Sequence, residues 1–315
     1  MKRLDPLDAV AGEAPPSQEQ LERDYRAQLE ERYSPFGDIV FPKDAVAPIL
    51  TPSVRAVLQQ LLTEINMAEA LRSVGLTPRQ RTLLAGPPGC GKTTLAHHVS
   101  ARLGLPLVVV QTGNIITAKF GGTGNNLADL FKEARRDKGK VAIFFDEFDS
   151  LAVKRREADS SAGSERNNIA ITILQELDRF NGVLFAATNR REDIDPAIWR
   201  RFQMQIEIGM PGNAERFAIV RLYTLPFALA DATVQALADA FNGASPALIK
   251  EGCEAIKRAL VLGPKMNLPT DLPAILARFT TSAAPAEGAA IPPLWDDFAE
   301  CAEICAGVPW PPELA

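Results

Sequence analysis

The sequence predicts an α/β fold, a parallel sheet sandwiched by helices, followed by a small all-α lid domain. Three observations carry that expectation. Short continuous apolar runs alternate with helical patterns between residues 81 and 208, as strands buried on both faces require. A glycine-rich stretch, Gly86-Pro87-Pro88-Gly89-Cys90-Gly91-Lys92-Thr93, joins the first run to the helical pattern after it. Beyond Pro211-Gly212 the apolar runs stop and only helical periodicity remains.

Composition bounds the classes. A chain of 315 residues corresponds to roughly two domains, and 46% hydrophobic residues suffice for a sizeable core. The net charge of -5 gives no global basic field for nucleic acid. No apolar run approaches a membrane span. Met1-Lys2-Arg3-Leu4-Asp5-Pro6-Leu7-Asp8 has acids and a proline where a signal peptide needs an apolar core, so the expected location is cytoplasmic. The only histidines are the adjacent His97 and His98, which leaves no H-E-x-x-H and no separate Ser/His/Asp set. Any peptidase working with this chain is a separate protein. The four cysteines form no C-x-x-C pair, and Cys301 and Cys305, four apart, read as packing residues.

In chain order, residues 1–17 are polar and proline-containing, a mobile segment by composition. Residues 18–33 form a charged helical arm with a narrow stripe of Leu21, Tyr25 and Leu29. Residues 34–48 read as a turn-rich linker. Thr51 is the expected N-cap, with Pro52 at the first position, of a helix running to about Val74 and stopped by Gly75. Strands are predicted at 81–85, 107–110, 141–145, 183–187 and 203–208. The intervening helices are 93–103, 125–137 and 164–180. Helices follow at 214–223, 232–241, 246–262, 272–279 and about 295–305, with a low-complexity link over 280–293. The expected units are an N-terminal segment with the helical arm (1–34), a large α/β domain (35–210), a helical lid (211–265) and a C-terminal extension with a flexible link and a helix (266–315).

The chemistry starts at the glycine-rich stretch, which reads G-x-x-x-x-G-K-[ST], the P-loop. Backbone N–H groups of Pro88-Gly89-Cys90-Gly91-Lys92-Thr93-Thr94, proline excepted, and a helix N-terminus can cradle phosphate. Lys92 is placed to reach the β- and γ-phosphates and Thr93 to ligate Mg²⁺. Asp146-Glu147 ends the run 141–145, at the sheet edge where α/β folds bind ligands. Asp146 is the expected Mg²⁺ partner and Glu147 the residue that polarises an attacking water. Thr188-Asn189 ends the next run, and the Asn189 amide can reach the γ-phosphate or that water. Arg200-Arg201-Phe202 follows Asp195-Pro196-Ala197-Ile198-Trp199. An arginine on developing phosphoryl charge contributes about 10³–10⁵ in kcat.

Together, and in this order, these segments resemble an AAA ATPase over about residues 36–262. Ala187-Thr188-Asn189 and Phe144-Phe145-Asp146-Glu147-Phe148-Asp149 are part of the likeness. So is Lys119-Phe120-Gly121-Gly122-Thr123-Gly124-Asn125-Asn126-Leu127, which is similar to that family's pore-loop region. Arg-Arg-Phe without an inserted Pro-Gly is closer to the single-module, severing-type and small bacterial members. The resemblance implies a P-loop NTPase fold and a homo-oligomer, usually a hexamer, with ATP and Mg²⁺ between subunits. Lys92, Thr93, Asp146, Glu147 and Asn189 then act in cis, and Arg200 and Arg201 in trans. It further implies that Ile39 and Val40 contact adenine through their backbone, and that Gly243 and Ala244 form the lid side of that pocket. Lys119, Phe120 and Gly121 occupy the pore-loop position, with the aromatic one place later than the family's aromatic-aliphatic-glycine order. Residues 154–168 lie where the family has a second pore loop.

The function expected is ATP-driven remodelling, unfolding or translocation of a protein partner. The alternative is an ATP-dependent switch or loader that assembles and presents its termini, including Trp295 and Trp310, to a dedicated partner. The basic run 132–140, interrupted by Glu133 and Asp137, reads as a solvated helix face rather than a nucleic-acid surface.

Overall fold

A six-stranded sheet with the spatial order β1-β3-β4-β5-β2-β6 forms the body of the protein. The computed structural model describes residues 17–117, 121–152, 161–286 and 290–314. The strands are β1 (Gly37–Val40), β2 (Arg81–Ala85), β3 (Leu107–Val110), β4 (Ala142–Phe145), β5 (Leu184–Thr188) and β6 (Met204–Glu207). All neighbours are parallel except β1, which runs antiparallel to β3. The helices of this part are α1 (Gln18–Tyr33), α2 (Pro52–Asn66), α3 (Ala68–Ser73), α4 (Lys92–Arg102), α5 (Thr112–Ile115), α6 (Gly122–Arg136), α7 (Ser161–Arg179) and α8 (Pro196–Trp199).

The apolar runs become strands because both faces are covered. Every residue of β4 and β5 is buried. β6 buries Met204 and Ile206 and exposes Gln205 and Glu207, the alternation of an edge strand. One core lies on the face shared by α6 and α7 and contains Phe131, Phe145, Phe148 and Phe180. The core on the other face joins Leu95 and Val99 of α4 to Phe144 and Phe185.

Residues 34–48, read as a linker, contain the edge strand β1. Its pattern is short, and Gly37 lies so close to β3 that a Cβ there would sit 2.0 Å from the Val109 carbonyl oxygen. Backbone pairing, not side-chain periodicity, makes this strand. The helix expected from 52 to 74 is broken at Met67, where the backbone leaves helical values. Its start is as read: the Thr51 hydroxyl accepts the Val54 N–H at 3.4 Å, with Pro52 next.

Helix α1 docks through its C-terminal end. Leu29 and Tyr33 are buried, while Leu21 and Tyr25 of the expected stripe are exposed. The Tyr33 hydroxyl donates to Asp137 at 2.5 Å, and Arg32 pairs with the same carboxylate. Burial, with the Asp137 bond, holds Tyr33 far above the usual phenol range. Two arginines of the basic run are likewise paired, Arg135 with Glu176 and Arg136 with Glu133.

The second part holds α9 (Asn213–Thr224), β7 (Phe227–Ala228), α10 (Asp231–Ala240), α11 (Pro246–Met266), α12 (Leu272–Ser282), α13 (Pro293–Asp296), α14 (Phe298–Ala306) and β8 (Glu313–Leu314). It is not purely helical, since β7 and β8 pair antiparallel. The single helix expected over 295–305 is two, parted at Asp297, whose carboxylate caps α14 through the Glu300 N–H. One core unites Leu237, Phe241 and Ile249 with Phe279, Leu294, Cys301 and Cys305. Trp295 packs against Phe279 and Phe241 with ring centroids 5.5 and 6.2 Å away, and its indole N–H donates to Ala283 O at 2.9 Å. The Trp310 indole donates to Thr270 O at 2.7 Å. Both tryptophans therefore pack on the lid core. No described helix is long and apolar enough to cross a membrane.

Trp295→Ala should lower the unfolding free energy by about 3 kcal/mol, the range of large-to-small aromatic changes. Urea unfolding followed by far-UV circular dichroism measures this. An unchanged midpoint would mean that residues beyond 290 do not share the lid core.

Candidate nucleotide site

Three adjacent parallel strands, β4, β5 and β2, bring the motif residues to one end of the sheet. The P-loop leaves β2 at Gly86. A Cβ there would meet the Ile208 carbonyl oxygen at 2.1 Å, so only glycine lets the chain turn beside the end of β6. The loop then runs straight into α4, with Gly91 left-handed at the N-cap.

The Lys92 side chain is 7% exposed. Its ammonium donates to Gly86 O and Pro87 O, both at 2.8 Å, and to Asn189 Oδ1 at 2.6 Å. Burial pushes it below the ordinary lysine value, against which Cys90, Asp146 and Asp149 pull upward. The Thr93 hydroxyl donates to Asp146 Oδ2 at 2.9 Å. Asp146 Oδ1 accepts the Glu147 N–H at 2.9 Å. Glu147 is left-handed, with φ 49°, and its side chain is exposed beyond Asp146. Such a backbone costs a non-glycine residue about 1–2 kcal/mol. Its carbonyl accepts from the Ser150 hydroxyl at 2.7 Å and the Ser150 N–H at 3.0 Å, which holds the turn.

These groups line a cleft of about 690 Å³ with Pro88, Gly89, Cys90, Gly91 and Thr94. A hydroxyl and a carboxylate converging at its floor, with a second carboxylate beside them, are the oxygen donors that Mg²⁺ takes. A buried ammonium and a run of loop amides suit phosphate. The residues present fit both groups. Thr93 and Asp146 would hold the metal, which would supply charge neutralisation at the phosphates.

The apolar end of the cleft differs from expectation. Ile39 and Val40 do not line it. Both belong to β1, where they pair with Val108 and Leu107, and β3, β4 and β5 separate them from β2. Pairing with β3 commits that backbone to the sheet. Pro48, Ile49 and Leu50, just before α2, take that end instead, facing Ile219 and Tyr223 of α9. Gly243 and Ala244 also lie outside the cleft. They line a neighbouring groove that shares Pro88 and Asn189 with it. The lid adds Pro246, Ala247 and Lys250 of α11 to the α9 residues. Residues 47–50 carry no periodicity, so nothing in the pattern marks them. Asp149 and Thr112 were also missed as supports: Asp149 accepts from the Thr188 hydroxyl at 2.9 Å, and the Thr112 hydroxyl donates to Asp146 O at 3.3 Å.

Arg200 and Arg201 do not line the cleft of their own chain. Arg200 is exposed; its backbone N–H donates to Pro196 O at 3.2 Å, and its guanidinium has no hydrogen bond or ion pair among the described residues. Arg201 is held by Asp178 of α7, Nε to Oδ1 at 2.8 Å and Nη2 to Oδ2 at 3.2 Å. Lys119 and Phe120 lie outside the described residues, as do residues 154–160 of the second pore-loop segment; 161–168 belong to α7. Gly121 is the left-handed N-cap of α6, and its N–H donates to both oxygens of Glu165, at 3.1 and 3.0 Å.

Residues 82–210 match the model of the ATPase family associated with various cellular activities, AAA. The chain belongs to the AAA ATPase family. It is 35% identical over 218 residues to the AAA family ATPase y4kL of Sinorhizobium fredii, covering 68% of this chain and 64% of that one. It is 36% identical over 197 residues to the ATP-dependent zinc metalloprotease FtsH 3 of Sphaerobacter thermophilus, covering 60% and 40%. It is 34% identical over 188 residues to the proteasome-activating nucleotidase of Thermococcus gammatolerans, covering 58% and 47%. The chain thus spans less than two thirds of the length of these relatives. Among the described residues of this AAA chain, no cluster of His, Cys, Asp and Glu could hold a metal on protein side chains alone.

The P-loop thiol of this AAA protein is sheltered. Cys90 is buried with its sulfur 3.8 Å from the Met210 sulfur, and burial raises its pKa above the ordinary thiol value. Cys253 and Cys305 are pushed up to about 12 and about 11 by burial. Raised values remove thiolate at neutral pH. All four cysteines are buried, so Ellman's reagent at pH 7.5 should titrate fewer than one thiol in native protein and all of them in guanidinium. Rapid native reaction at Cys90 would show an open P-loop.

Proposed function

We propose that this AAA ATPase binds ATP with Mg²⁺ in the 690 Å³ cleft, hydrolyses it, and works as a homo-oligomeric ring, a hexamer, that remodels, unfolds or translocates a protein partner. Loop amides from Gly89 to Thr94 and the Lys92 ammonium hold the phosphates. Thr93 and Asp146 carry the metal, Glu147 polarises the attacking water and Asn189 orients it against the γ-phosphate. Lys119, Phe120 and Gly121 form the substrate-contacting loop. The observation that carries the ring is the split of the hydrolytic set. Every member but the arginine faces the cleft, while Arg200 is exposed, unpartnered among the described residues and outside the cleft. A guanidinium so placed is free to reach a neighbouring subunit's phosphates. The protein partner is supported by relatives whose names denote a protease and a proteasome activator, in which case a separate peptidase is a further partner.

Glu147→Gln should keep ATP affinity and lower kcat by about 10²–10⁴, the range for a lost general base. Light scattering on a sizing column with ATP should then give a mass of six subunits. A variant that binds ATP and stays monomeric at micromolar concentration overturns the ring.

Arg200→Ala should lower kcat by about 10³–10⁵ with ATP affinity changed less than about threefold. The loss should depend on ring composition when the variant is mixed with Glu147→Gln, Arg200-competent subunits. Steady-state phosphate release and single-site nucleotide titration measure the two. Loss of affinity without loss of kcat would place Arg200 in its own cleft.

A further inference from the structure

We infer that Lys250 is a phosphate ligand supplied by the lid, which moves from Glu254 to the bound nucleotide; the inference rests on the cleft being a nucleotide site. Among the residues lining the cleft only Lys92 and Lys250 are cationic. Lys92 already has three acceptors. The other ionisable groups that the lid turns to the cleft are Glu215, whose sign repels phosphate, and the Tyr223 phenol.

Helix α11 starts on the P-loop and brings Lys250 to the cleft wall one turn further on. The Ala247 N–H donates to Gly89 O at 3.2 Å, so the first turn of this helix rests on the P-loop. A Cβ on Gly89 would meet the Ser245 hydroxyl at 2.9 Å, the same approach seen from the loop. Lys250 follows Ala247 by three residues, on the same helix face, and both line the cleft. Helical side chains lean toward the N-terminus, here toward the P-loop. Three residues of rise are about 4.5 Å, within the span of a four-carbon stem.

Its present partners are weak enough to leave. The Lys250 ammonium is 4.0 Å from Glu254, with half its side chain exposed. It lies 5.4 Å from the Tyr223 ring, which itself lines the cleft. Glu254 keeps Arg258 at 3.0 Å, so departure of the lysine leaves no carboxylate unpaired. Phosphate offers a full charge in a more sheltered place.

The test compares Lys250→Met and Lys250→Arg with the parent protein by isothermal titration of ATP and ADP, and by competition with millimolar adenosine. Lys250→Met should weaken ATP and ADP by about tenfold, the size of one charged hydrogen bond, and leave adenosine unchanged. Lys250→Arg should restore most of the loss. Nucleotide-free melting temperatures of all three should agree, since the residue is half exposed on a helix surface. Unchanged ATP and ADP affinity in Lys250→Met overturns the inference while leaving the nucleotide site intact. Equal weakening of adenosine also overturns it, and assigns Lys250 to the base through Tyr223. A parent protein that binds neither ATP nor ADP overturns the nucleotide site itself.

Discussion

The buried Lys92 ammonium is the constraint on which the rest of the site depends. An unpaired charge in such a place costs several kcal/mol, so acceptors must converge on it. Gly86 and Pro87 supply carbonyls from the loop, and Asn189 supplies its amide oxygen from the end of β5. The contact that makes the charge tolerable therefore also fixes the loop against the sheet. The parallel pairing of Ala85 with Thr188 makes it possible, because it sets the ends of β2 and β5 side by side. Asp146 then follows from topology alone. β4 is the next strand along, and its end places a carboxylate within 2.9 Å of the Thr93 hydroxyl. Thr112, after β3, supports the Asp146 backbone from the strand beyond.

The parallel strands were legible because burial on both faces leaves an unbroken apolar run; Asp146 and Asn189 stand at or just after the ends of such runs, and Lys92 and Thr93 in the P-loop pattern. What was not legible lacked either mark. β1 is four residues long and owes its existence to backbone bonds with β3 and to Gly37, not to a pattern. Ile39 and Val40 were assigned to the base pocket on likeness of a short segment, whereas the sheet claims their backbone. Pro48, Ile49 and Leu50 replace them in an irregular stretch, where apolar character without period says nothing about location. The low-complexity stretch 280–293 has neither helix nor strand at its described residues 283–286 and 290–292, while Phe279 and Leu294 on either side of it belong to the lid core, which composition alone does not reveal.

That core changes how the cleft is held. Its floor belongs to the sheet, but its apolar wall comes from α9 and its upper edge from α11, both lid helices. Two separate hydrophobic cores thus flank the cleft. The β7–β8 pair and the Trp310–Thr270 bond tie the end of the chain to the lid. Its direct backbone bond to the P-loop is the one from the Ala247 N–H to Gly89 O, at the first turn of α11.

The adjacent arginines cannot have the same role. Arg201 holds Asp178 in a two-point contact, and the half-buried Arg81 donates to Leu177 O on the same helix. An exposed ion pair of this kind is worth at most about 1 kcal/mol, too little to be the reason for the fold but enough to fix the orientation of a turn. With Arg201 pinned to α7, the preceding side chain must leave the short helix α8 in another direction, and Arg200 does so into solvent. Arg201 is in this sense a positioning residue for Arg200. The helix it leans on, α7, carries Glu165 near its start, and that carboxylate receives the amide of Gly121, where α6 begins. One helix therefore joins the arginine turn, through Asp178 near its C-terminal end, to the start of α6, through Glu165 near its N-terminal end.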